Sequence, residues 1–329
     1  MKQKRIYIIL FVVISKPMLK LEAIEHKVDL LSNISAITKK KAHALRGSST
    51  PYISGDSFRS LADHLFDETS DIFDPKAVKL GDVIFVKTDY LDLFFKEKHP
   101  LIMNKYILIT HNSDFGVLSK YEPILADEKI IVWFGQNAAI KNNKKFIPIP
   151  IGIANQCWSH GNVTIFNKVS DDLKRNKIQK KHLLGINFRS GTNASIRQPI
   201  YDYFIKKDFC TNIETKNHEE YLKKMAQAKF ILSPAGNGLD CHRTWEALLV
   251  GAVPIIENST LDELFVDLPV LIINNWQDIT REYLEKKYIE MQQKEYDYNK
   301  IYFEFWKTLI NSYKKQLIMK GKYFNEKYT

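Results

Sequence analysis

Arg243 and Glu246 stand three residues apart, just behind the run Gly236, Asn237, Gly238. A glycine-rich turn that opens a helix suits an anion. Its backbone N–H groups are free to point at a ligand, and the helix dipole favours negative charge there. An arginine in the first turn adds a planar fork for phosphate oxygens. A glutamate one turn further on, on the same face, can accept hydrogen bonds from ribose hydroxyls. The same residues allow a second reading, in which the glycines only tighten a turn and Arg243 pairs with Glu246. Ser233, Gly236, Asn237, Gly238, Asp240, Arg243 and Glu246 are therefore the candidate ligand-binding residues of this stretch.

The elements that must position them are legible. Residues 230–232 form an apolar run that reads as a buried strand, ended by Ser233 and Pro234. The turn at 236–238 accommodates positive φ. Asp240 lies where a helix starts and suits its cap. Trp245, Leu248 and Leu249 supply an inner face, Gly251 a left-handed stop, and 253–256 the next strand. This is a βαβ unit of a parallel sheet. It is not a Walker loop, since no Gly-Lys-Ser/Thr follows. Nor is it the dinucleotide fingerprint, whose third glycine is replaced by Cys241.

The run SPAGNGLDCHRTWEALLVGAVPII resembles the C-terminal signature of the exostosin-like glycosyltransferases, glycosyltransferase family 47. Ser233, Pro234, Gly236, Arg243, Glu246, Ala247, Leu248, Gly251 and Pro254 carry the likeness, which covers about the second half of the chain. The resemblance implies an α/β protein of two Rossmann-like domains facing a cleft (the GT-B fold), with a C-terminal helix packing back. It implies a nucleotide-sugar donor, UDP-linked, as co-substrate on the C-terminal domain, with the arginine on the diphosphate and the glutamate on the ribose. It also implies inversion at the anomeric carbon. Many members carry a basic residue where this chain has Ala235, so one phosphate contact is either missing or supplied elsewhere.

With 329 residues, 45% hydrophobic and 26% charged, the chain suits two folded domains. A net charge of +10 suits an anionic partner such as a nucleotide diphosphate or an anionic lipid surface. Nucleic acid is disfavoured, because no basic repeat, zinc spacing or RNA-binding aromatic motif occurs. Cys157, Cys210 and Cys241 are scattered and odd in number, which predicts free thiols. Basic residues followed by the apolar run 6–15 leave three readings of segment 1–22: export signal, shallow anchor or first strand. The run is shorter than the roughly 20 residues that span a bilayer. Because nucleotide sugars in a bacterial cell are cytosolic, a cytoplasmic or membrane-peripheral location is favoured, with export left open. Residues 20–49 read as a polar, basic linker or solvated helix.

Residues 23–165 alternate strand and helix signals and read as a doubly wound acceptor-side domain. Strands are predicted over 51–54, 83–87, 106–110, 130–134 and 146–151, the last at an edge because of its prolines. Helices are predicted over 58–66 here and 221–229 in the next domain. Asp56, His111 and Asp114 fall at strand ends, where open α/β sheets bind ligands. An inverting transferase needs a base on the acceptor side, and the order of preference is Asp114, Asp56, His111. Each is equally a turn residue or, for Asp56, a cap.

Residues 166–290 form the donor-side domain, opened by a strand over 182–188. Arg189, Asn193 and Arg197 follow it, either facing the cleft or, respectively, solvated, capping helix 194–204, and solvated. A strand at 270–273 and a helix capped by Asp278 come next. Residues 291–329 read as a basic aromatic helix, either packed on the core or lying on a membrane surface. No Asp-x-Asp follows an apolar strand, so no obligate metal is expected.

Together these features predict an inverting glycosyltransferase acting on a hydroxyl of a glycan or glycoconjugate. A nucleotide-sugar epimerase of the same shape and a non-catalytic glycan- or nucleotide-binding protein are the alternatives.

Overall fold

The computed structural model describes residues 46–69, 73–176 and 178–326, with side chains through 316. The N-terminal segment 1–22 and most of the basic stretch 20–49 lie outside the described residues. Among the described residues no helix is long and apolar enough to cross a membrane.

Helix α1 (Gly55–Arg59) opens the first layer, and the Ser54 side chain caps it by accepting from the Ser57 N–H. Strands β1 (His64–Phe66), β2 (Val83–Lys87), β3 (Tyr106–His111), β4 (Ile130–Gly135) and β5 (Phe146–Pro148) follow. They pair parallel in the order β1-β2-β3-β4-β5. The runs VIFVK and YILITH are apolar almost throughout because both faces of these strands are buried. β5 lies at an edge, where its proline does no harm.

Three readings are corrected here. The first sheet is wound in one direction, not doubly wound, because hydrophobic runs mark strands but not their neighbours. The predicted helix 58–66 stops at Arg59, and His64–Phe66 instead pairs with β2, His64 opposite Ile84. A three-residue apolar run does not distinguish the two states. Among the described residues, 51–54 contribute a single antiparallel bridge, between Tyr52 and Tyr302, and no strand.

Helix α2 (Val163–Arg175), capped by Asn162, leads to the second sheet. In chain order come β6 (His182–Ile186), α3 (Ala194–Phe204), β7 (Cys210–Asn212), α4 (His218–Ala226), β8 (Ala228–Leu232), α5 (His242–Leu249), β9 (Val253–Glu257) and β10 (Leu271–Ile273). The strand order is β10-β9-β8-β6-β7, all parallel. β7 carries no apolar run and escapes sequence reading. The chain builds outward from β6 to β7 and then returns to add β8 on the other side. Loops leaving β6 and β8 diverge at that reversal, which makes a crevice at their carboxyl ends. Asp278 sits in a 3₁₀ turn, and Thr280, not Asp278, caps helix α6 (Arg281–Gln292).

Helix α7 (Phe303–Glu326) returns to the first sheet. Phe303, Trp306 and Ile310 are buried in its core, and the Phe303 and Trp306 rings meet Phe58 edge-on at 5.8 and 6.2 Å. Of the two readings of this helix, core packing holds for its described aromatic residues Phe303, Phe305, Trp306 and Tyr313. The chain is thus α/β with two parallel sheets and helices, consistent with a Rossmann-like fold.

Candidate functional site

A cleft of about 630 Å³ opens at the carboxyl ends of β6, β7 and β8, within the roughly 300–1,000 Å³ usual for small-molecule sites. The glycine loop forms one wall. The Gly236 N–H donates to the Gly238 carbonyl at 3.0 Å, closing the turn. A Cβ on Gly238 would run into the Asn137 side-chain amide, and one on Gly236 would lie 2.8 Å from Arg197 Nη2, so close packing rather than the expected positive φ favours glycine at these positions. Gly251 ends α5 at φ +71°, the left-handed stop expected of it.

Asp240 does not cap α5. The N-cap position is Cys241, whose carbonyl accepts the Thr244 N–H at 3.0 Å, and no side chain caps the first turn, which leaves this end open to an anion. The buried Asp240 carboxylate instead accepts from the Ile151 N–H at 2.8 Å, the Cys241 N–H at 2.9 Å and the Trp245 indole. Burial pushes its pKa up to about 6, against the pull of these hydrogen bonds. Its own N–H donates to Asn137 Oδ1 at 2.8 Å. Asp240 therefore ties the glycine loop to the loops after β4 and β5.

Two arginines flank the ring of Phe188, which follows β6. The Arg243 guanidinium carbon lies 5.3 Å and that of Arg197 5.7 Å from its centroid. Arg197 is buried, contrary to the solvated reading. It donates to the carbonyls of Ala235 at 2.9 Å, Arg189 at 3.2 Å and Pro234 at 3.3 Å. It thereby buckles the glycine loop to β6. Burial and the neighbouring Arg243 lower its pKa. Arg243 donates through Nε to the Asn187 carbonyl at 2.9 Å, and its Nη1 is buried with no hydrogen-bond partner. Neither guanidinium has a carboxylate within salt-bridge distance among the described residues. Arg189 lies exposed on the same rim.

Glu246 is buried and pairs with His218 rather than with Arg243, Oε1 to Nε2 at 3.1 Å. The Tyr221 hydroxyl belongs to the same group: burial and Glu246 push its pKa far up, and Arg243 opposes them. The rings of His218 and His242 each lie 6.3 Å from that of His160. Burial, then His242, lowers the His160 pKa. Among the described residues no group of three His, Cys, Asp or Glu is arranged to hold a metal ion. Sequence reasoning missed this histidine cluster. Its members are separated by dozens of residues, and the local signals were that His160 lies past a strand end, His218 opens a helix and His242 stands beside Arg243.

The remaining candidates divide. Asp114 is exposed at the cleft, where its Oδ2 accepts from Asn237 Nδ2 at 2.9 Å. Asp56 is 1% exposed and held in a polar knot: its N–H donates to Asn155 Oδ1 at 2.8 Å and its carboxylate accepts from Asn112 at 3.1 Å. Ser54, not Asp56, caps α1. His111 is buried, with Nε2 donating to the Pro150 carbonyl at 3.1 Å and Nδ1 accepting from the Asn112 N–H at 2.6 Å. Neither Asp56 nor His111 lines the cleft. Ser233 is buried against Thr244 at 2.8 Å. Asn193 makes no cap bond through its side chain and donates to the Gly236 carbonyl at 2.8 Å. Cys210 and Cys241 are free thiols, and burial pushes that of Cys210 up to about 12.

No curated protein matches the chain. Residues 203–322 match the family model described as the RXYLT1 C-terminal domain. The matched segment begins within α3 and runs into α7, so it includes the glycine loop, Arg243 and Glu246, and the match supports a link to a glycosyltransferase family.

Proposed function

We propose that the chain is an inverting, metal-independent glycosyltransferase of GT-B architecture, moving a sugar from a nucleotide-sugar donor, UDP-linked, to a hydroxyl of a glycan or glycoconjugate. The domains are 23–165 on the acceptor side and 166–290 on the donor side. The observation that carries this reading is the pair of guanidiniums without carboxylate partners beside Phe188, next to an uncapped helix N-terminus. Partly buried like charges with no counter-ion favour an anion between them and the loop. The family-model match over the same stretch adds support.

In this reading Arg243 and the α5 N–H groups receive the diphosphate, with Arg189 at the rim. Arg197 stands beside Ala235, where family members carry a basic side chain, and supplies the charge from behind the loop. Glu246 accepts from the ribose. The acceptor oxygen bonds to the anomeric carbon while the bond to the diphosphate oxygen breaks. The acceptor proton passes to Asp114, and the charge developing on the leaving diphosphate is stabilised by the arginines. Asp114 is preferred because it is the one of the three candidate bases at the cleft.

A thermal-shift panel of UDP- and GDP-sugars tests the reading. A donor at 100 times its dissociation constant stabilises the folded chain by about 2.7 kcal/mol. A folded protein that none of them stabilises would overturn it.

A further inference from the structure

We propose that His218 is a specificity-determining residue which, together with Glu246, reads the ribose hydroxyls of a nucleoside diphosphate. The inference rests on the donor-binding reading above and assigns that site a residue not identified from sequence.

Nε2 of His218 lies 3.1 Å from Glu246 Oε1. An ionised carboxylate only accepts, so Nε2 carries the hydrogen and, in the neutral ring, Nδ1 is an acceptor. That Nδ1 is buried and has no hydrogen-bond partner. Helix capping does not account for the residue, because the Asn217 side chain already accepts from the Glu219 and Glu220 N–H groups at the start of α4. The rings of Phe166 at 5.3 Å and Tyr221 at 5.9 Å pack around the imidazole and fix its place.

Two cleft residues thus hold unfilled hydrogen-bond positions of opposite sense. Arg243 Nη1 only donates, and His218 Nδ1, in the neutral ring, accepts. A nucleoside diphosphate carries the complement, with phosphate oxygens at one end and ribose O–H groups beside them. The reverse orientation sets phosphate against the Glu246 carboxylate. The pair therefore both orients the ligand and demands its hydroxyls.

The experiment measures dissociation constants for UDP, GDP, their 2′-deoxy and 3′-deoxy forms, and pyrophosphate, on the full chain by titration calorimetry. Wild type should bind the ribonucleotide at least about tenfold more tightly than each deoxy form. His218→Gln keeps an N–H near the position of Nε2 but removes the Nδ1 acceptor. It should lose the discrimination against one deoxy form, keep the other through Glu246, and leave pyrophosphate affinity unchanged. A folded His218→Gln protein with both discriminations intact overturns the proposal. So does wild type that binds all three nucleotide forms equally, a result that needs no variant. Wild type that binds pyrophosphate but neither UDP nor GDP removes the donor reading itself.

Discussion

The two sheets present their carboxyl ends in different chemical states. Both edges are rich in Asn, Asp, His and Arg. At the first, the partners are mostly internal: Asp56 with Asn112 and Asn155, His111 with Pro150 and Asn112, and the Trp133 indole with Thr110. Among the described residues, buried atoms without a hydrogen-bond partner occur at both, Thr88 Oγ1, Gln136 Oε1 and Asn137 Nδ2 at the first and Arg243 Nη1 and His218 Nδ1 at the second, but only at the second is one of them a guanidinium nitrogen, beside a helix, α5, that no side chain caps. Strand order supplies the cause. The sheet in order β1-β2-β3-β4-β5 never reverses, so neighbouring loops lie side by side and bond to one another. The sheet in order β10-β9-β8-β6-β7 reverses between β6 and β8, and the loops part. Strand order thus sets which polar residues at strand ends can reach one another.

The largest effect expected concerns an acid of the first half that reaches the second edge. Asp114 reaches the cleft and Asn237. Asp114→Asn should lower turnover by roughly 10²-fold or more while donor affinity and melting temperature stay near wild type. Near-wild-type transfer by this variant would return the search for a base to other cleft groups.

Next is a group of the second edge that behaves like the first. Asp240 is fully engaged, and its folded pKa of about 6 lies above the ordinary carboxyl value of 3.8. Between these values the folded state holds the extra proton, so this group's contribution to stability falls as pH rises from about 4 to 6 and is level beyond. The integrated loss is of the order of 3 kcal/mol. Denaturant unfolding of wild type and Asp240→Asn at pH 4 and pH 7 measures it. The wild-type value should drop more across that interval, and parallel curves would contradict the assignment.

Arg243→Ala tests the open edge. The side chain has no carboxylate to abandon, so the fold should keep its stability. UDP-sugar affinity should fall by roughly 10- to 100-fold, from the loss of about 1.5–3 kcal/mol of charge-assisted bonding. Unchanged affinity in the folded variant would erase the distinction between the edges.

How much of this was legible depends on distance along the chain. Strand, glycine turn, helix and left-handed stop over 230–257 are local decisions, and the sequence displays them in order. Most apolar strand cores were found for the same reason, and the edge place of β5 followed from its prolines. Winding direction was not legible, because VIFVK looks the same whichever strand pairs beside it. Nor was the fate of Arg197: a guanidinium three residues into a helix reads as solvated until the carbonyls of Ala235 and Pro234 close on it. Asp240 was misread as a cap because its true partners, Ile151 and Asn137, lie about a hundred residues away. The histidine cluster failed on the same ground, since each of its members is an ordinary loop or helix-start residue until three loops converge.

The smallest effect expected is the mirror image of Arg243→Ala. Asn155 belongs to the closed edge, where its Oδ1 accepts from the Asp56 N–H at 2.8 Å and its Nδ2 donates to Asn112 Oδ1 at 2.9 Å. Asn112 in turn donates to the Asp56 carboxylate, so one amide holds both ends of a three-residue knot. Asn155→Ala removes two bonds and leaves the N–H of the buried Asp56 without this acceptor. Loss of about 1–2 kcal/mol of stability follows, since a part-buried donor stripped of its partner bears a desolvation cost that an exposed one does not. Nucleotide affinity should not change, because neither Asn155 nor Asp56 lines the cleft. Denaturant unfolding and a UDP titration on the same preparation read the two quantities. If Asn155→Ala weakens UDP binding at unchanged stability, the polar knot of the first sheet is part of the ligand site and the contrast between the edges collapses.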